Sequence, residues 1–141
     1  MSAYRMLQIA LVAFGVVFCL VWPLSIVWPA GWSWHDGPPN ASHYFMMIVG
    51  IYATLGVFLL LAARDPLAHR SLIQFTAVSS AAHAAIMAVQ AIKDPAHGGH
   101  LLGDVPALAL VTVVLGVLLP LAQRDGPRDR QREVAPTPHA A

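Results

Sequence analysis

One histidine stands alone in an apolar stretch. His83 is the single ionisable side chain between Arg70 and Lys93, in a run otherwise made of alanine, serine, aliphatics and a few amides. Thr76, Ser80, His83, Met87 and Gln90 follow one another at spacings of four, three, four and three, so they share one face of a helix. A neutral imidazole ligates metal or haem and exchanges protons, and an ionisable group inside a membrane helix marks a substrate, proton or cofactor site. The same Thr, Ser, His and Gln face also suits hydrogen-bonding glue between helices, at about 0.5–2 kcal/mol per contact. Both readings stay open at this point.

A second helix offers a surface to meet it. His43, Met46 or Met47, Gly50 and Thr54 share a face, with Tyr52 near them in depth. Met47 and Met87 fall at about the same depth on antiparallel helices, roughly 6–8 Å below one membrane surface, which allows a shared His and Met pocket. Sulfur with imidazole suits Cu(I) or a haem iron. Against this, methionine is ordinary apolar filler and His43 sits at a wet boundary. The candidate pocket set is therefore His83, Met87, Gln90, Ser80, Thr76, Tyr52, His43 and Met47. His97-Gly-Gly-His100 is a flexible chelate in a loop, weakly suggestive of a metal and without the partners of a zinc enzyme. Cys19, the one cysteine, can form no internal disulfide and reads as small helix filler. Neither a nucleotide-binding loop, nor a nucleophile motif, nor a pair of intramembrane carboxylates is present, so hydrolases and ATP-driven pumps find no support.

The elements that must hold these residues follow from the charge distribution. Of 141 residues, 57% are hydrophobic and 11% charged, against about 25% charged in a soluble domain. The charges fall at the edges of four apolar runs, predicted as helices over about 6–27, 43–63, 67–92 and 105–121. Each is about 20 residues, the length that crosses roughly 30 Å of hydrocarbon. The first is too long for the core of a signal peptide and lacks a small-residue cleavage site, so it is expected to be retained. Asp65-Pro66 and Asp104-Val105-Pro106 read as cap-and-restart signals, and Ser42 or Asn40 as a cap for the second helix. A tight antiparallel hairpin is expected between the second and third helices. Gly50, Gly56, Ala77, Ala81 and Ala85 supply small surfaces for close packing.

Seven of the eight cations sit at one set of ends: Arg5, Arg64, Arg70, Arg124, Arg128, Arg130 and Arg132, with only Lys93 at the other. The positive-inside rule makes the arginine side cytoplasmic, with both termini there. Trp22, Trp28, Trp32 and Trp34 mark the opposite boundary as an interfacial belt. Residues 1–122 thus form the membrane domain, and 123–141 a charged tail expected to be disordered. A net charge of +1 without a basic stripe argues against nucleic acid.

In Ala62-Ala63-Arg64-Asp65-Pro66, His69-Arg70-Ser71-Leu72-Ile73, His83, Met87-Ala88-Val89-Gln90 and His100-Leu101-Leu102-Gly103-Asp104-Val105-Pro106, over roughly residues 6–121, the chain resembles small uncharacterised bacterial four-helix membrane proteins. It is distantly similar in architecture to the DoxX-like proteins, some of which are tied to quinone chemistry. The resemblance implies topology and bacterial origin and carries no activity. The expectation is an all-α, four-helix transmembrane bundle with up-down connectivity in a bacterial inner membrane. Its leading role is non-catalytic binding or accessory function, with the lipid bilayer, further copies of itself or a partner membrane subunit as associates and no cofactor. One alternative is a haem, copper or quinone protein built on His83, and another a small oligomeric transporter.

Overall fold

A computed structural model describes the chain at residues 1–27, 42–94 and 100–134, the side chains of 126–134 excepted. Among the described residues there are five helices and no strand: α1 Ala3–Cys19, α2 Val21–Val27, α3 His43–Ala62, α4 Arg70–Lys93 and α5 Asp104–Val134. Three of these are long and apolar enough to cross a membrane, and the bent pair α1 and α2 supplies a fourth span if counted as one. The protein is a multi-pass membrane protein.

The local chemistry explains where the helices begin and break. Ser2 caps α1 by accepting from the Arg5 N–H at 3.4 Å, and Ser42 caps α3 by accepting from the Phe45 N–H at 3.2 Å. The first apolar run, expected as one helix, turns by 58° between Cys19 and Val21. Pro23 is the cause, because its ring clashes with the carbonyl four residues back, that of Cys19, and it has no N–H to offer there. Asp65 and Pro66 open a turn in which Ala68 and His69 bond back to their carbonyls, and the regular helix starts only at Arg70 rather than Leu67. At the far end the backbone of α5 stays helical to Val134, well past the Leu121 end read from the sequence.

α1 lies between α3 and α5, and α4 packs on the other side of α5. The expected hairpin partners α3 and α4 are not in extensive backbone contact; α3 rests on α1 and α4 on α5. Cross-links fix the pairs as antiparallel. Gln8 donates to the Ala63 carbonyl at 2.9 Å and Cys19 to that of Ala53 at 3.7 Å, tying α1 to α3 from opposite ends. The Ala3 N–H donates to Asp125 Oδ2 at 3.0 Å, joining the start of α1 to the late part of α5. Thr112 of α5 donates to the Ala77 carbonyl of α4 at 3.2 Å.

Where α1 crosses α3, Gly15 meets Gly56. A Cβ on Gly56 would stand 2.6 Å from the Gly15 carbonyl oxygen and 2.7 Å from Cys19 Sγ, so only glycine permits this approach. Gly50, also expected to pack closely, has open space before it. On α4 the packed small residues are Ala77, Ala84 and Ala91, whereas Ala81 and Ala85 face outward. Leu7, Leu11, Leu59, Ile73 and Leu115 are fully buried between the helices. The outward surface is equally greasy: Ile51 is 69% exposed, Val78 69% and Phe75 63%. Helices apolar on both their inner and outer faces require a hydrocarbon surrounding.

Candidate functional site

The antiparallel packing brings the start of α3, the end of α4 and the start of α5 to one end of the molecule, opposite the ends that carry Arg5, Arg64, Arg70 and Arg124. There a cavity of about 310 Å³ opens between the helices. Its walls come from both sides of the α1–α2 bend, Phe14, Phe18 and Val21, and from Phe45 of α3 and Leu108 and Val111 of α5. Val21 belongs to the short helix that follows the bend after Cys19, so the cavity spans that bend.

Four polar side chains line this apolar space: Tyr52, His83, His100 and Asp104. They form two pairs. The Tyr52 hydroxyl and His83 Nδ1 lie 2.8 Å apart, joining α3 to α4 across the gap between their backbones. His100 Nδ1 and Asp104 Oδ2 lie 2.6 Å apart, one helical turn from each other at the head of α5. Asp104 stands in the first turn of α5, where the unpaired N–H groups of a helix start favour a carboxylate. The Tyr52 ring is held edge-on to Phe18, centroids 5.0 Å apart and planes at 81°, so its hydroxyl is aimed by packing as well as by hydrogen bonding. His83 Nε2 and Asp104 Oδ1 have no hydrogen-bond partner among the described residues.

The residues singled out by helical spacing divide. His83, Met87 and Tyr52 line the cavity together. Thr76 and Ser80 are buried on the same face of α4, deeper in the helix packing, and the Thr76 hydroxyl is spent on its own helix at the Leu72 carbonyl, 2.9 Å away. Gln90 and His43 are exposed. Met47 is 60% exposed and borders a separate shallow groove with Gly50, Thr54 and Phe58. Of the two loop histidines, His100 belongs to the cavity and His97 lies outside the described residues, as do Trp28, Trp32 and Trp34. Asp104 and the phenylalanine walls were not among the residues that spacing picked out. Asp104 reads locally as a helix cap, and only the return of α5 beside α4 shows its second role.

His83 and Met87 are one turn apart on the same face of α4 and so stand side by side, whereas two axial ligands of a haem must face each other across the ring plane. Among the described residues no group of three His, Cys, Asp or Glu side chains could hold a metal ion. What the site offers is a mostly apolar hollow with a few convergent polar groups, the general form of a small-molecule pocket.

No curated protein and no solved structure matches the chain. A family model does: the Family of unknown function (DUF6632) matches residues 1–136, and the chain belongs to that family.

Proposed function

We propose that this protein is a membrane-embedded binding protein for a small, largely apolar molecule with a hydrogen-bonding head, taken up in the cavity around His83. One observation carries the reading: two hydrogen-bonded pairs, Tyr52–His83 and His100–Asp104, converge on a hollow whose other walls are phenylalanine and aliphatic side chains. An unpaired imidazole nitrogen in apolar surroundings costs on the order of 1–3 kcal/mol, and a ligand's polar head recovers it. The helices form a four-span antiparallel bundle in a cytoplasmic membrane. The arginine ends face the cytoplasm with both termini, and the cavity opens toward the outer side. Its apolar lining admits molecules already dissolved in the bilayer.

The test is native mass spectrometry of protein released from lipid nanodiscs, wild type beside Ala107→Trp. Ala107 lines the cavity from an exposed position on α5, so an indole there fills the hollow without disturbing the buried core. The expected result is a small-molecule adduct on the wild type that Ala107→Trp lacks. Identical spectra from the two, after incubation with a total membrane lipid extract, would overturn the proposal.

A further inference from the structure

The cavity is charged on one side only. Among the described residues, Asp104 is the single one lining it with a formal charge when the imidazoles are neutral, and no Lys or Arg among them lines it. The same sign holds in the sequence of the connecting segments. The segments that join the helices there, together with the helix ends they connect, contain Asp36, Asp94 and Asp104 against the lone cation Lys93, which is exposed. This is the reverse of the arginine-rich opposite end, so the potential at the opening favours cations. Among the described residues only His100 meets the Asp104 carboxylate, at Oδ2, so Oδ1 has no partner among them.

Aromatic rings line the same cavity. Phe14 and Phe18 of α1 and Phe45 and Tyr52 of α3 all border the hollow, with Phe18 and Tyr52 locked edge to face at 5.0 Å. Ring faces carry negative potential and attract an ammonium that has shed its water, most strongly where the site is desolvated. A carboxylate combined with phenyl walls therefore selects a cation with an apolar body. An anion meets the Asp104 carboxylate and no Lys or Arg among the described lining residues, and among those residues a strongly hydrated inorganic cation finds no cluster of ligands.

We infer that the cavity binds a lipophilic ammonium: a small organic amine or quaternary ammonium whose charge rests against Asp104 and whose apolar part lies among Phe14, Phe18, Phe45 and Tyr52. The inference rests on the binding function proposed above and names its ligand class. Entry is from the outer side or outer leaflet.

The experiment compares two probes of one shape, benzyltrimethylammonium and its neutral carbon isostere neopentylbenzene, by equilibrium binding to the full chain in nanodiscs. Specific binding is the difference between wild type and Ala107→Trp. The cation should bind on the order of tenfold more tightly than the isostere. Asp104→Asn should remove that preference, and Asp104→Glu should restore part of it. Specific binding of both probes with equal affinity would overturn the cation inference and leave the pocket standing. Absence of specific binding by either probe would overturn both. Should Asp104→Asn fail to fold, the wild-type preference between the two probes decides the matter alone.

Discussion

The Tyr52–His83 pair is the residue-scale feature with the clearest energetic signature. Two polar groups from different helices satisfy each other across 2.8 Å in a mostly apolar space, and each leaves the other unpaired if removed. Tyr52→Phe keeps the ring against Phe18 and takes only the hydroxyl. It should lower stability by about 0.6–2 kcal/mol, read as a drop in Tm in detergent. His83→Leu should cost a similar amount, and the double variant should cost less than the sum of the two, since the second change no longer orphans a partner. Strict additivity would show that the pair contributes nothing as a pair. How far this site was legible in the sequence follows from how its residues announce themselves. His83 and Met87 declare themselves by being polar or soft at helical spacing in a plain run, and Tyr52 by its depth. Asp104, His100 and the phenylalanines have ordinary local explanations as cap, loop residue and apolar filler. They become a site only through contacts between α1, α3, α4 and α5 that no local pattern encodes.

At the scale of elements, the molecule depends on one close crossing and one break. The crossing is Gly15 on Gly56, where a methyl group on Gly56 would meet backbone oxygen at 2.6 Å, an obstacle that cannot rotate away. Gly56→Ala should therefore force α1 and α3 apart and cost about 1–3 kcal/mol. Gly116→Ala on α5, which meets open space, should be neutral or slightly stabilising because alanine favours the helix by about 1 kcal/mol. Thermal unfolding of the two variants side by side checks the contrast, and equal losses would contradict it. The break is set by Pro23. Pro23→Ala restores the missing backbone bond and should straighten α1 and α2 into one helix, raising helical content while closing the hollow that Val21 helps to wall. Circular dichroism and the probe-binding measurement on this variant should thus move in opposite directions. The start of α3 at Ser42 could be read from capping chemistry, because caps act within three or four residues. The partner choice of α3 could not, since a short link suggests α4 while the glycine crossing and the Gln8 and Cys19 bonds give it to α1. The extension of α5 to Val134 has no account in the side chains described, although Asp125, just before that segment, is anchored by the Ala3 N–H from the far end of the sequence.

The whole molecule is apolar on its inside and its outside and charged at its two ends in opposite senses. Leu7, Leu59 and Leu115 are hidden between helices while Ile51, Phe75 and Val78 face outward, and the segments at the end where the cavity opens carry a carboxylate excess. This division was the most legible property of the sequence, because segment length and the placement of arginine depend on composition and order alone. It also sets the direction from which the cavity can be filled, so topology is the claim on which the functional proposals stand. Substituted-cysteine labelling of intact cells tests it most directly, in a Cys19→Ser background with single cysteines at Ser42 or Leu102 near the cavity opening and at Ser71 near the arginine end. A membrane-impermeant maleimide should label Ser42→Cys and Leu102→Cys from outside, and Ser71→Cys only after the membrane is opened. Labelling of Ser71→Cys from outside, together with or in place of the other two, would contradict it.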